Sequence, residues 1–434
     1  MKKYSPLIIL LYFISCDSQP TSHILAKVGS RIVTTSEFEE SYKNKLIQSQ
    51  IQDSPFERNR TLQTLIKSKL FAESAIENHL TLDSLTHRKI QSVKNHILRE
   101  ALYESLFNSN INEVTDSLAR QHFLWMNKEC KMKHLFSPDK SVLDSLFVLL
   151  QKEPSRFSQF ASSLFSDSTL KNNGGSLGWI KYNDLDPALE KAAFSMETNS
   201  FSHPVQSQHG WHILYKENEK RQMIISEDEY LMRKKSIISD LKKKERLILA
   251  NQYIHQLLEQ KHISIDDSLV YHSIGQIFTL IQLQQGQLES GAKIQYGDLL
   301  TSISQSLLSR LNEPLAQYDG GTFTVQDFMD GLLSIRPAQS THSPITSFYQ
   351  ALRNKLLVEE AINMNLEQDP IVQLKVKDIE DQFLASAFLK TRHYGQSSGH
   401  FTSSELKSIS DSLRSIYSVI IYPDHLDALF QQPN

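Results

Sequence analysis

This 434-residue sequence is short of several things. It has two cysteines, Cys16 and Cys130, which allow one disulfide at most and exclude a disulfide framework. Its fold must therefore rest on packed cores. Basic and acidic residues nearly cancel, 46 against 49, and the net charge of −3 lacks the basic footprint of a nucleic-acid binder. No phosphate loop, nucleophile triad or metal-spaced cluster stands out, and the histidines are scattered, so neither a metal nor a cofactor is called for. The apolar run Leu7–Ile14 is too short to cross a hydrocarbon core of about 30 Å as a helix. What remains is an ordinary globular composition, 40% hydrophobic and 22% charged. The length suits about three domains of roughly 150 residues each.

The first 15 residues, MKKYSPLIILLYFIS, place two lysines ahead of that apolar run, as a secretory signal does. A small residue directly before cysteine, Ser15-Cys16, resembles the processing site of bacterial lipoproteins. That resemblance implies a signal peptide over 1–15, lipidation of Cys16, and a membrane-anchored, periplasm-facing chain in the cell envelope. Asp17 resembles an inner-membrane retention signal. With Cys16 acylated, Cys130 reads as a small strand or core residue.

The richest stretch follows Phe165. Asn173-Gly174-Gly175 is a turn, because glycine takes φ > 0 without steric cost. Leu177–Ile180 is short and apolar, like a buried strand. Pro187 suits a first helical turn, and Leu189, Ala192, Ala193 and Phe194 recur at helical spacing. Pro204-Val205 is extended, His209-Gly210 turns, and Trp211–Tyr215 is a last strand. GGSLGW, the helix ending in AAFSM and HPVQSQHGWHIL together resemble the second half of a parvulin-type (PpiC, or rotamase) peptidyl-prolyl isomerase. KMKHLF at Lys131–Phe136 resembles its first strand, and FSQFASSLF its helix before the active-site loop.

On either side the chain reads as helix. Ile24–Val28 and Ile32-Val33 form a hairpin around Gly29-Ser30, and Thr35 or Ser36 can cap the helix that follows. Long amphipathic helices run to Phe123. This block resembles the N-terminal chaperone domain of SurA and PrsA-type foldases. LAKVGSRIVTTSEF at Leu25–Phe38 recurs as LAQYDGGTFTVQDF at Leu315–Phe328, and KLFAESAIENHLTLD at Lys69–Asp83 as KLLVEEAINMNLEQD at Lys355–Asp369. Order and spacing match, so we expect a duplication in which both copies fold as a hairpin leading into a helix. A long charged helix from Ser226 should connect them, with LKKKERL as a solvated face. The expected fold is α+β: a parvulin domain, a small antiparallel sheet with surrounding helices, inserted between two mainly helical SurA-like lobes. Its parts are a helical domain at 16–127, the parvulin domain at 128–219, a helical connector at 220–310, and a second, degenerate copy at 311–434.

Rotating an X–Pro amide means crossing a barrier of about 18–20 kcal/mol, and no bond breaks. An enzyme need only bind the twisted amide better than either planar form. The resemblance puts the family's two active-site histidines at His134 and His212. Counting back from Gly175, its cysteine-or-aspartate position falls on Ser168, which keeps a hydroxyl and loses an ionisable group. Leu185 and Leu189 match the proline-pocket residues, with Leu in place of the usual aromatic at 189. Phe194 is core or pocket, and Ser207 and His209 match the rim. The implied function is a peptidyl-prolyl isomerase and chaperone for unfolded exported proteins and proline-containing peptides. The alternative is a lipid-anchored holdase whose parvulin domain binds proline segments with weak or no turnover.

Overall fold

The computed structural model describes residues 23–107, 113–207, 209–221, 226–286, 307–333, 344–393 and 401–430. The leader and Cys16 lie outside them. Among the described residues no helix is long and apolar enough to cross a membrane.

The first hairpin is β1 (Ile24–Val28) and β2 (Arg31–Thr34), leading into α1 (Thr35–Ser49). The cap is Thr34, one residue before the expected Thr35 or Ser36. Its hydroxyl accepts from the Glu37 amide at 3.2 Å while its backbone is still extended. The helices α2 (Pro55–Glu77), α3 (Ser84–Phe107) and α4 (Asp116–Met126) follow. Ser54 caps α2, and Pro55 opens it where an amide would have no partner.

Five antiparallel strands make the central sheet: β3 (Lys128–Ser137), β4 (Ser176–Ile180), β5 (Ser200–Phe201), β6 (Val205–Ser207) and β7 (Gly210–Arg221). β3 lies between β4 and β7, and both β5 and β6 pair with β7. Alternation along β3 and β7 gives the sheet two apolar faces. Leu135 and Ile213 pack under α5 (Lys140–Lys152) and α6 (Phe157–Leu164). Met132 and Leu214 pack on α8 (Pro187–Ser195) through Leu189, Ala193 and Phe194. The short α7 (Ser168–Asn172) precedes the glycine turn. Cys130 is buried on β3, as a core thiol.

The connector is α9 (Glu227–Gln260), 34 residues long and capped by Ser226, with three acidic residues in its first turn. Tyr230, Ile237 and Leu241 pack on Ala119 and Phe123 of α4. Its charged run is not wholly solvated: Lys244 pairs with buried Glu190 of α8 and stands 3.5 Å over the Tyr182 ring. Beyond it come β8 (Ser264–Ile265) and α10 (Asp267–Gly286), then the second hairpin, β9 (Pro314–Tyr318) and β10 (Gly321–Thr324), and α11 (Val325–Leu333). The helices α12 (Pro344–Asn363), α13 (Pro370–His393) and α14 (Ser403–Arg414), the strand β11 (Val419–Ile421) and α15 (Pro423–Ala428) end the chain.

Both repeat copies thus fold as a hairpin entering a helix, and they share an ion pair. Lys69 meets Glu37 at 3.2 Å in the first copy, and Lys355 meets Asp327 at 2.7 Å in the second. The lobes are not the two sequence segments, however. β11 pairs with β1, Ala26 opposite Ile421, and Ala385, Phe388 and Leu413 join the core of the first hairpin. The second hairpin instead takes β8 as its third strand and builds its core with α10 and Leu257 of α9. The expected boundaries at 16–127, 220–310 and 311–434 are corrected accordingly. The C-terminal helices complete the first lobe, and much of the connector belongs to the second. Isolated three-residue strands have no preference for a neighbour in sequence, so burial against the better-matched hairpin decides the pairing.

Candidate active site

His134 and His212 stand on adjacent strands. In the β3–β7 register His134 faces Leu214 and Phe136 faces His212, so the two imidazoles sit on a diagonal of one face. Their Nδ1 atoms are 3.3 Å apart, and the rings are nearly parallel, with 14° between planes and 5.6 Å between centroids. Phe165 lies 5.0 Å from His134 and Phe136 lies 5.1 Å from His212. Burial lowers both imidazoles to about 4, and in His212 the neighbouring His134 and His209 add to the effect. At neutral pH both rings are uncharged. One Nδ1 donates and the other accepts, so the tautomer of one ring fixes that of the other.

The glycine turn sets this geometry. The His134 amide donates to the Gly175 carbonyl at 2.8 Å. Gly175 has φ +77, and a Cβ there would fall 2.3 Å from the His134 carbonyl oxygen. Only glycine lets the turn close against β3 at that point.

Among the described residues no hydrogen bond joins Ser168 to the pair. It is exposed in the first turn of α7, which Asp167 caps by accepting from the Leu170 amide at 2.9 Å. The hydroxyl that does reach the histidines is that of Ser207, 2.9 Å from His212 Nε2 and buried. Ser207 Oγ also accepts from the His209 amide at 3.1 Å. The result is a chain Ser207–His212–His134 ending at His134 Nε2, a buried nitrogen with no hydrogen-bond partner among the described residues. Leu185 is half-buried and Leu189 and Phe194 are buried, all in the core cluster on the Met132–Leu214 face that the imidazoles share. His209 is exposed at the rim.

Two contributors escaped the sequence reading. Phe165 was seen only as the end of a helix pattern. His255, on α9, lies with Nε2 3.4 Å from the Ser207 carbonyl, and a gap of about 140 Å³ separates Val205, Gln206 and Ala188 from Ile248 and Asn251 of the same helix. No local motif marks a contact made across 48 residues.

Comparison with known proteins bears on this arrangement. Residues 139–218 match the Rotamase family, described as the PPIC-type PPIASE domain. The chain carries a PpiC-type isomerase domain. Around that domain, a Parvulin-like PPIase of Rickettsia conorii is 25% identical over 169 residues, 37% of this chain and 58% of the relative. Foldase protein PrsA of Caldanaerobacter subterraneus is 21% identical over 257 residues, 50% of this chain and 83% of that one. Foldase protein PrsA of Bacillus subtilis is 30% identical over 129 residues, which spans 43% of it. The chain thus covers less than two thirds of several of these relatives. Among solved structures, the SurA-like chaperones of Campylobacter jejuni give 20% identity over 56% of this chain and 100% of theirs, with a TM-score of 0.24. The matched residues are flanked here by helical lobes; His212 lies within the match and His134 just before it.

Proposed function

We propose that this chain is a peptidyl-prolyl cis-trans isomerase and chaperone for unfolded exported proteins, with the isomerase site at His134 and His212. The observation that carries the reading is the neutral imidazole pair, buried on one sheet face and ending at the unpartnered His134 Nε2. A twisted X–Pro amide loses conjugation, so its nitrogen becomes a better acceptor and its carbonyl less polarised. A fixed, uncharged donor–acceptor pair suits that state better than either planar form. No covalent intermediate or cofactor enters. Leu185 and Leu189 supply the apolar side on which the proline ring rests, and Ser207 holds the tautomer of His212.

The leader pattern supports lipidation at Cys16 and anchoring to a cell-envelope membrane. The two hairpin-bearing lobes on either side of residues 128–219 serve as the chaperone part. The exposed Ser168 and the packing of α9 beside Ser207 favour a second reading, a holdase with a weak isomerase site. A protease-coupled proline-peptide assay on the chain from residue 17 separates them. The isomerase reading expects His134→Ala and His212→Ala each to lower kcat/KM about tenfold or more. Equal rates in wild type and both variants would leave only the holdase. Fractionation of Cys16→Ala tests the anchor: it should move from membrane to soluble fraction.

A further inference from the structure

A cleft of about 510 Å³ opens between α1, α3 and α13 in the first helical lobe. Leu65, Ile97, Ile371 and Leu374 give it aliphatic wall, shared with polar residues such as Ser41, Asn44 and Gln382. It holds four carboxylates, the little-exposed Glu37 and Asp378 and the exposed Glu40 and Glu100, the last 3.2 Å from His96, which also lines the cleft. Two lysines also reach it, Lys45 and Lys375, and Lys45 is already taken by Glu57 at 2.6 Å.

Around Glu37 positive charge is short. Lys69, buried to 1% exposure, is the shared partner of Glu37 at 3.2 Å, Asp378 at 2.6 Å and Asp381 at 3.0 Å. Arg31 pairs with Asp381 and with Glu73. Two cations therefore serve four carboxylates. The Glu37 side chain is 6% exposed, and its Oε2 is buried without a hydrogen-bond partner while lining the cleft. Desolvation, with Asp378 close by, outweighs the pull of Lys69 and of the Thr34 backbone and pushes the Glu37 carboxyl up to about 7. A buried acceptor left open in a partly aliphatic cleft is costly unless a ligand donor meets it.

We propose that this cleft binds extended peptide segments in which a lysine or arginine sits among aliphatic residues, the cation entering toward Glu37 and the neighbours resting on Leu65, Ile97 and Leu374. It deepens the chaperone reading by naming the client chemistry, and it rests on that reading for the role of the lobe. The cation supplies the missing donor, and the aliphatic neighbours supply the area that makes binding of an unfolded chain favourable.

Three short fluorescein-labelled peptides test it. All are aliphatic and free of proline, with a central arginine, citrulline or glutamate, and binding to the full chain is read by anisotropy. The arginine peptide should bind about tenfold tighter than the glutamate peptide, with citrulline between them. Glu37→Gln should cut that ratio to about threefold or less. The double variant Glu40→Gln/Glu100→Gln, on the exposed rim and away from the core, should lower it as well with an unchanged melting curve. Equal affinities for the three peptides, no binding of any, or a ratio that survives in both variants would overturn the assignment. Since no peptide contains proline, failure of the isomerase reading leaves this result intact, and failure here leaves the proline assay intact.

Discussion

An imidazole that stays neutral until about pH 4 acts as a hydrogen-bonding group and not as a charge. That is the state of His134 and His212, and His122 beside Tyr182 is lowered to about 4 as well, again chiefly by burial. We expect kcat/KM for a proline peptide to change less than about twofold between pH 8 and pH 5, then to fall. A bell centred near pH 6.5 would mean that a charged imidazole takes part. Stability has a matching sign. A depressed histidine contributes fully above its free value of 6.5, and the contribution drains as pH falls through about 4. The three tryptophans of the chain, Trp125, Trp179 and Trp211, all lie in or against the isomerase domain. Their fluorescence should therefore report a lower Tm at pH 5 than at pH 7, and a still lower one at pH 4.5. An unchanged fluorescence Tm over that range would contradict the burial of the pair. The two histidines were legible because their motif is local. The hydroxyl partner was not. Ser207 reads in sequence only as a rim match, and it is β6 folding back on β7 that brings its hydroxyl to His212, a relation that only pairing across the turn creates.

At the scale of elements, the site depends on a turn and not on the strands alone. Gly175 and Gly178 both have positive φ, +77 and +74, yet they differ in what surrounds them. A Cβ at Gly178 meets nothing within 4 Å, while one at Gly175 meets the His134 carbonyl. Gly178→Ala should therefore cost only the left-handed strain, about 1–2 kcal/mol. Gly175→Ala must also push β3 away at His134, so it should cost about 3 kcal/mol or more and reduce isomerase activity. Urea unfolding by tryptophan fluorescence together with the proline assay reads both. Equal losses for the two variants would refute the idea that this contact places the histidine. Hairpins and their following helices were equally readable, because turn glycines, alternation and a cap are all local signals. β11 is a run of three apolar residues, Val419–Ile421, with no local sign of its partner. Nothing in three apolar residues says that they will cross nearly the whole sequence to lie against β1.

For the molecule as a whole, the two similar hairpin-and-helix segments hold one kind of ion pair in two settings. In the first lobe Lys69 is 1% exposed and Glu37 6%, and the C-terminal helix α13 adds Asp378 and Asp381 to the same ammonium. In the second lobe Lys355 and Asp327 are 29% and 30% exposed, and Lys355 also donates to the Thr322 carbonyl at 2.9 Å. Sequence alignment of the copies pairs these lysines as equals. Burial separates them, since the first lobe is closed by a helix that has no counterpart in that place among the described residues of the second lobe. Removing an exposed partner forfeits a screened interaction of about 1 kcal/mol or less. Removing a buried one strands its carboxylates without a counter-charge, at about 3–5 kcal/mol. Lys69→Met should therefore lower the chemical-denaturation midpoint far more than Lys355→Met. Because Lys69 joins α2 to α13, the same change should expose the C-terminal helices to limited proteolysis before the isomerase domain is cut. If the two substitutions cost the same, or if Lys69→Met leaves α13 and α14 protected, this buried lysine is not what holds the ends of the chain in one lobe.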